Sequence, residues 1–177
     1  RVEDVEAGKA IVKVVMHTRD YETAGVSKAV NVKGEVEVST EFDDSVIPTF
    51  KNLAVGKNVT VSSVENDSLS GQYAVDNDPN TRWSSAWNDG EWIMVDLGKV
   101  HRLDAVVIDW EAAYASKYQI YSSIDGVEWG ATNAGTANGA GEVVSRANIT
   151  ARYIKVVCQE RGTQYGSSIY ELKVFGY

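Results

Sequence analysis

Residues 76–87, with the sequence DNDPNTRWSSAW, bring together side chains that could hold a metal ion or a sugar. Asp76, Asp78 and Thr81 stand two and three residues apart around a proline. A tight turn at that proline would aim two carboxylates, a hydroxyl and several backbone carbonyls inward, and such an oxygen cage suits Ca²⁺. An Asx-turn without a metal is the alternative, because Asp and Asn side chains stabilise turns by themselves.

Trp87 ends this stretch within a polar loop sequence, SAWNDGEW. An aromatic side chain on a polar loop is the usual platform for a sugar ring, whose C–H face is apolar and slightly positive. The alternative is a tryptophan that folds back on the body of the protein. Trp92 and Trp110 lie in apolar runs, which predicts that they belong to the core, and Trp129 is predicted to cover an edge.

The composition narrows the class of protein that could carry these loops. With 44% hydrophobic residues, the chain can form a core. A formal net charge of −8 repels polyphosphate and anionic lipid, which argues against nucleic acid and disfavours a membrane partner. The single cysteine, Cys158, lies in an apolar run and is predicted to be a buried, inert thiol.

Short apolar or alternating runs recur along the chain, and helical periodicity is scarce. EWIMVDLG and LDAVVIDW suit interior strands, and YQIYSS, RYIKVVC and IYELKVFGY follow them. Asp125-Gly126 and the Gly-rich stretch NAGTANGAGE are expected to be the turns that separate these strands. Many short strands with turns between them predict an all-β fold, an antiparallel β-sandwich.

The sequence pattern changes near residues 44–51, and this change divides the chain into two parts. The segment DDSVIPTFKN has little periodicity and is predicted to be a linker. Residues 1–49 then form a short N-terminal β segment with this linker, and residues 50–177 form the main domain. The few strands predicted before the linker cannot close a sandwich alone. They are either the end of a preceding domain or an extension that docks on the main one.

From Asn52 onward the chain resembles the discoidin domain, also called the coagulation factor 5/8 type C domain, whose bacterial members are grouped with the family 32 carbohydrate-binding modules. The resemblance rests on six segments that follow the family's order: NLAVGKNVTVSS, YAVDNDPNTRWSS, EWIMVDLGKVHRLDAVVIDWE, YQIYSSIDGVEW, ARYIKVV and SSIYELKVFG. It implies an eight-stranded antiparallel jelly roll of the galactose-binding-domain type, with binding loops at one end. With one cysteine the chain lacks the disulfide of coagulation-type members, which favours the bacterial branch.

A finer likeness concerns WEAAYASKYQIY, which is similar to the subgroup attached to bacterial glucanases and chitosanases. Galactose-binding members usually offer a histidine in the pocket. The two histidines here, His17 and His101, lie in the leading segment and next to a strand start. The likeness therefore favours chitosan or a β-glucan over galactosides.

The resemblance also implies roles for particular residues. Trp83 takes the family's core tryptophan position, and Glu171 would complete a structural calcium site with Asp76, Asp78 and Thr81. Arg82 could pair with Asp76 or hold ligand hydroxyls with its guanidinium fork. The expected carbohydrate site is the following set: Glu65, Arg82, Trp87, Glu111 and Tyr165.

These expectations describe a non-catalytic carbohydrate-binding module that binds a polysaccharide or oligosaccharide. Its parent would be a secreted, extracellular glycoside hydrolase, bacterial in origin, with the catalytic domain in the same chain. Two acids in one groove also suit a glycosidase, but discoidin domains are not catalytic. The alternatives are a cell-surface adhesion or membrane-binding discoidin module, and a structural domain without a ligand.

Overall fold

The structure, a computed structural model, describes residues 51–177. The β segment and linker predicted for residues 1–49 lie outside the described residues. Eight strands and one short 3₁₀ helix account for most of the described chain. The strands are β1 (Lys51–Asn52), β2 (Asn58–Val61), β3 (Trp83–Ser84), β4 (Glu91–Trp110), β5 (Ala115–Ser123), β6 (Gly130–Thr136), β7 (Gly141–Arg161) and β8 (Ser168–Gly176), and the helix spans Gly71–Val75.

All strand pairs are antiparallel, which confirms the predicted all-β sandwich. The hydrogen-bonded order is β1-β8-β4-β7-β5-β6, with β2 beside β4 and β3 beside β8. Among residues 51–177, no helix is both long and apolar enough to cross a membrane.

Strands β4 and β7 are long because each bends and continues into the second layer of the sandwich. Their pairing shifts register between Asp96 and His101, where Gly98 adopts a φ of +87°. Before this bend β4 pairs with β2 and β7, and after it β4 pairs with β8 and β7. The two predicted apolar strands EWIMVDLG and LDAVVIDW are thus the two arms of one bent strand.

Alternation along these arms fills the space between the layers. Ile93, Val95 and Leu97 point inward from the first arm, and Leu103, Val106, Ile108 and Trp110 from the second. Their partners include Ile154, Val156 and Cys158 of β7, all with no exposed surface. Cys158 is buried as predicted, and burial raises the pKa of its thiol to about 12.

Trp92 is not a core residue, so that prediction was wrong. It alternates with Ile93 and therefore faces outward, where the Lys155 ammonium lies 4.2 Å from the centre of its ring. The run Trp92-Ile93-Met94-Val95 is apolar on both faces of the strand, so the sequence pattern did not reveal which face is buried. Trp110 is fully buried as predicted, and Trp129 packs at the sheet surface 6.3 Å from Tyr153.

The Gly-rich stretch NAGTANGAGE is also not simply a turn. Its first residues belong to β6, which pairs with residues 117–122 of β5. Gly135 stands opposite Tyr118, and a Cβ atom at this position would overlap the tyrosine ring. Glycine is therefore present here because a large aromatic side chain covers the backbone of an edge strand.

Four loops meet at one end of the sandwich, the site pole, formed by residues 62–68, 85–90, 111–114 and 162–167. Backbone hydrogen bonds connect them: Glu65 N–H donates to Ser84 O at 2.8 Å, Ser85 N–H to Ser167 O at 2.9 Å, and Gly162 N–H to Tyr114 O at 2.8 Å. The opposite end, the far pole, contains the β4 bend. There the first described residue, Lys51, pairs with Gly176 near the C-terminus.

Candidate functional site

Trp87 and Tyr165 form an exposed aromatic corner at the site pole. Their side chains are 52% and 48% exposed, and their ring centres lie 5.4 Å apart at an interplanar angle of 83°. Edge-to-face packing of this kind is a favoured arrangement for aromatic rings. Trp87 therefore does not fold back into the protein, and one face of its indole is available to a ligand.

Glu65 lies at the edge of this corner in a fixed position. Its Oε1 accepts from Trp87 Nε1 at 3.3 Å, and its Oε2 accepts from Ser84 Oγ at 2.9 Å. Its own backbone N–H is bound to the carbonyl of Ser84. An indole and a carboxylate thus stand side by side on open surface, as the sequence predicted.

Glu111 and Arg82 meet through a shared partner, Ser168. The backbone N–H of Glu111 donates to Ser168 O at 3.0 Å, and Arg82 Nε donates to Ser168 Oγ at 3.0 Å. Glu111 Oε2 also accepts from the backbone N–H of Ala113 at 2.8 Å, which fixes the carboxylate. Within residues 51–177, Arg82 forms no ion pair with Asp76, so that alternative is not what the structure shows.

The Tyr165 loop can approach the end of β3 because it contains a glycine. A Cβ atom at Gly166 would overlap the carbonyl oxygen of Ser85. The contact is sealed by Ser167 N–H, which donates to Ser85 Oγ at 2.9 Å. Any larger residue at position 166 would push Tyr165 away from Trp87.

Glu91, which sequence reasoning missed, is buried beneath the Trp87 loop and holds it through Asn88. It is 8% exposed and accepts hydrogen bonds from Ser62 Oγ, from Ser63 Oγ at 2.6 Å and from Asn88 Nδ2 at 3.3 Å. Burial opposes the charge of this carboxyl, but these three donors outweigh burial and lower its pKa. The residue stood within a predicted apolar strand, where its charge was the one available signal.

Arg161 is a second residue that sequence reasoning missed. Its guanidinium reaches the carbonyl of Trp87, the carbonyl of Gln164 and the carboxylate of Asp89. These bonds join the loop of Trp87 to the loop of Tyr165. The partners lie 72 and 74 positions away in the chain, so no local motif announces them.

The loop predicted to bind calcium contains two Asx-type turns. Asp76 Oδ1 accepts from Asp78 N–H at 2.9 Å, and its Oδ2 accepts from Thr81 Oγ1 at 2.8 Å. The Asp78 carboxylate faces away to Asn80, whose backbone N–H and side-chain amide both donate to it and lower its pKa. Asn77 stands between them with a φ of +62°.

Glu171 of β8 lies against this loop with its carboxylate buried and unsatisfied. It is 4% exposed, and neither carboxylate oxygen accepts a hydrogen bond from the described residues. Burial and the nearby Asp76 carboxylate raise its pKa to about 7. The backbone amides of Asn77 and Asp78 lie close enough to oppose this shift, but neither completes a hydrogen bond.

The arrangement fits a calcium ion in part. The buried Glu171 carboxylate, which has no donor, and the exposed Asp76 carboxylate near it would both gain from a divalent cation. Within residues 51–177, no three His, Cys, Asp or Glu side chains come together as a metal site. Carbonyl and hydroxyl oxygens would therefore have to supply most ligands, which Ca²⁺ accepts.

Two clefts of the described residues lie away from the aromatic corner. One is next to Asp125 and Glu128, and the other is at the far pole beside Lys57 and Lys99. Trp87 and Tyr165 instead stand on open surface. Such a surface can stack against a ligand but does not enclose it, so it suits part of a long chain better than a small molecule.

The chain is similar to a known domain family and to several solved structures. Residues 58–172 match the F5/8 type C domain. Chitosan-binding module 1 from the chitosanase/glucanase of Paenibacillus sp. IK-5 is 38% identical, with a TM-score of 0.68 over 71% of this chain and 99% of that module. Module 2 of the same enzyme, solved in complex with chitotriose, is 32% identical, with a TM-score of 0.68 over 71% of this chain and all of that module.

A more distant likeness is shared with the family 32 module of Clostridium perfringens NanJ in complex with galactose. It is 24% identical with a TM-score of 0.63, over 73% of this chain and 99% of that module, and it supports the fold alone. The polysaccharide lyase 8 family protein HylA of Enterococcus faecalis is 31% identical over 118 residues, which is 59% of this chain and 8% of HylA. The matched part is thus a small portion of that lyase.

The match to residues 58–172 covers most of the chain and coincides with the sandwich described above. The similar solved structures include chitosan-binding and family 32 carbohydrate-binding modules. The resemblance read from the sequence is therefore confirmed: the chain belongs to the F5/8 type C, or discoidin, domain family.

Proposed function

We propose that the protein is a non-catalytic carbohydrate-binding module for a β-linked polysaccharide, with chitosan or a β-glucan preferred. The observation that carries this proposal is the exposed corner of Trp87 and Tyr165 with the Glu65 carboxylate fixed at its edge. An aromatic face and a hydrogen-bond acceptor side by side match the two surfaces of a sugar ring.

Each group has a distinct part in this proposal. The indole of Trp87 stacks on the apolar C–H face of one sugar unit, and Tyr165 borders the next. The carboxylates of Glu65 and Glu111 accept hydrogen bonds from hydroxyls or attract the ammonium of glucosamine. Arg82, whose Nε is bound to Ser168, donates to hydroxyls of the sugar with the other N–H groups of its guanidinium.

The acidic balance of the chain supports a neutral or cationic ligand. With a formal net charge of −8, long-range attraction favours a polycation such as chitosan over an acidic glycan. The similarity to two chitosan-binding modules, each matched over its full length, supports the same class of ligand. Affinity for a short oligosaccharide is expected on the order of 10 µM to 1 mM, because an open surface buries little of the ligand.

The proposed biological setting is a secreted bacterial glycoside hydrolase with its catalytic domain in the same chain. A module of this kind keeps the enzyme near an insoluble substrate, since tethering raises the local concentration of the second partner. The resemblance of WEAAYASKYQIY to modules of glucanases and chitosanases supports that parentage.

We also propose that Asp76, Asp78, Thr81 and Glu171 surround a structural Ca²⁺. The unsatisfied, buried carboxylate of Glu171 next to Asp76 is the observation that supports it. The Asp78 carboxylate is held by Asn80, so Asp78 would contribute its backbone carbonyl unless this side chain turns. The ion would neutralise Asp76 and Glu171 and hold the loop in place; it takes no part in binding the sugar.

Affinity electrophoresis in gels that contain chitosan, laminarin or galactan tests the proposed function. We expect retardation by chitosan or laminarin, and at least about a tenfold loss of affinity for Trp87→Ala, which corresponds to about 1.4 kcal/mol. Trp129→Ala is the control, since it removes another part-exposed tryptophan outside the site pole.

Three outcomes would contradict the proposal. A protein that is unretarded in every gel would have no such ligand, and would favour a structural domain. A Trp87→Ala protein that is retarded like the wild type would dismiss the assigned site. Strong sedimentation with phosphatidylserine vesicles, lost in Trp87→Ala, would favour the membrane-binding alternative.

A further inference from the structure

We propose that Arg161 is a positioning residue that locks the Trp87 loop to the Tyr165 loop and so preforms the aromatic corner. This inference rests on the proposed function for its effect on binding. Its structural part, the control of the Trp87 side chain, stands on the contacts of Arg161 alone.

Arg161 lies at the end of β7, between the two loops. Its Nη1 donates to the Trp87 carbonyl at 2.8 Å and to the Gln164 carbonyl at 3.2 Å. Its backbone N–H and Nε both donate to Asp89 Oδ1, at 3.0 Å and 2.9 Å. The guanidinium of Arg161 therefore holds the backbone on both sides of the aromatic corner. It binds the carbonyl of Trp87 itself and the carbonyl of Gln164, one residue before Tyr165.

The aromatic corner depends on contacts between two loops that are far apart in the chain. Trp87 and Tyr165 stand 78 positions apart in the chain, and their rings touch edge to face at the outer surface, away from the core. A planar guanidinium can serve several acceptors in a fixed arrangement, whereas an ammonium is a point charge on a flexible stem. Lysine at position 161 would keep the charge but could not keep all three acceptors aligned.

The contribution of this cluster to global stability is expected to be small. The Asp89 side chain is 56% exposed, and exposed ion pairs add little to the free energy of unfolding. Its effect lies in binding, because a ligand that meets a preformed corner does not bear the entropy of ordering two loops. The expected signature is therefore weaker binding with an almost unchanged melting temperature.

The chain offers a matched control in a second Arg–Asp pair. Arg152 Nε and Nη2 donate to the two carboxylate oxygens of Asp96, at 2.7 Å and 2.8 Å. This pair lies near the β4 bend at the other end of the sandwich. Arg152→Gln thus removes an equivalent charge and ion pair without touching either loop.

The first readout needs no ligand. In a ¹⁵N–¹H spectrum the Trp87 indole N–H is identified as the signal that Trp87→Phe removes. We expect Arg161→Gln to shift or broaden this signal, because the indole is no longer held against Glu65, while Arg152→Gln leaves it in place. Asp89→Asn, which keeps a carbonyl acceptor, should have an intermediate effect.

The second readout is affinity for chitotriose and laminaritriose by calorimetry. For the trisaccharide that binds, Arg161→Gln is expected to lose at least fivefold, Arg161→Lys to recover only part of this loss, and Arg152→Gln to lose less than twofold. In a Trp87→Phe background the loss from Arg161→Gln should shrink, because the residue acts through the orientation of the indole.

The two proposals can fail separately. If the wild type binds neither sugar, the proposed function fails, and the indole signal still decides the role of Arg161. An unchanged indole signal in Arg161→Gln would overturn the positioning role. So would a loss of affinity that is undiminished in the Trp87→Phe background, since it would make Arg161 a direct ligand contact.

Discussion

Glu91 and Glu171 are two buried carboxylates of one sandwich, and their surroundings are opposite. Glu91 is 8% exposed and receives three side-chain donors, which keep it charged and lower its pKa. Glu171 is 4% exposed, has no donor among the described residues, and burial together with Asp76 raises its pKa to about 7. The same side chain at the same depth is satisfied in one place and unsatisfied in the other.

The difference shows how each carboxylate serves the fold. A buried charge that accepts hydrogen bonds from neutral donors fixes the structure around it and needs no proton or cation to neutralise it. A buried charge without donors is a cost unless a proton or a cation joins it. We therefore assign Glu91 to the support of the Trp87 loop and Glu171 to the proposed calcium site, and this assignment can be tested from both sides.

The largest expected effect is the response to calcium. If Ca²⁺ joins Asp76 and Glu171, the ion stabilises the fold by about 4 kcal/mol at a free concentration of about 1,000 times Kd. Thermal melts in calcium and in EDTA should differ by several degrees for the wild type and not for Glu171→Gln. A wild type that melts at the same temperature in both buffers would remove the metal site.

The next effect is a pH dependence of the calcium-free protein. Glu171 binds its proton more tightly when folded, with a pKa of about 7 against an ordinary 4.5, so the charged form destabilises the fold. Stability should fall as pH rises from about 5 to 8, by up to about 3 kcal/mol. His101, whose pKa burial lowers, titrates with the opposite sign, so the quantity to compare is wild type minus Glu171→Gln in chemical denaturation.

Replacement of Glu91 should cost somewhat less and should not depend on calcium. Glu91→Ala removes a buried carboxylate and its three hydrogen bonds from Ser62, Ser63 and Asn88, and a hydrogen bond to a charged group contributes about 1.5–3 kcal/mol, part of which the burial of the charge offsets. Urea unfolding should therefore show a loss of about 2 kcal/mol, equal in calcium and in EDTA. A calcium-dependent loss would mean that Glu91 and Glu171 are coupled and do not have separate roles.

The smallest effect sets the baseline for an exposed acid. Glu160 pairs with Lys117 at 2.8 Å, with both side chains more than half exposed. Lys117→Ala should change the free energy of unfolding by less than about 0.5 kcal/mol. If Lys117→Ala lost as much stability as Glu91→Ala, burial would not explain why Glu91 contributes more to the free energy of unfolding than the exposed Glu160.

Local patterns in the sequence predicted much of this molecule. Alternation and turn signals predicted the antiparallel sandwich. The six segments in the family's order predicted that the binding loops meet at one end, the site pole. Placing Trp87 on a polar loop correctly predicted an exposed indole, and the family resemblance placed Glu65 beside it. These features depend on neighbours in the chain or on a shared family pattern, which is why the sequence carried them.

What the sequence did not predict depends on distant partners. Arg161 meets Asp89 and Trp87 only because the fold brings the end of β7 to the β3–β4 loop. Trp92 faces Lys155 because both faces of its strand are apolar and alternation could not choose between them. Two of the three donors of Glu91, Ser62 and Ser63, likewise come from a loop almost thirty residues earlier in the chain.

The pairing of Lys51 with Gly176 has a consequence for how the domain can be used. Both ends of the fold leave side by side, at the pole turned away from the indole of Trp87. A segment attached at either end therefore starts at the pole opposite the aromatic corner, so the point of attachment does not cover Trp87.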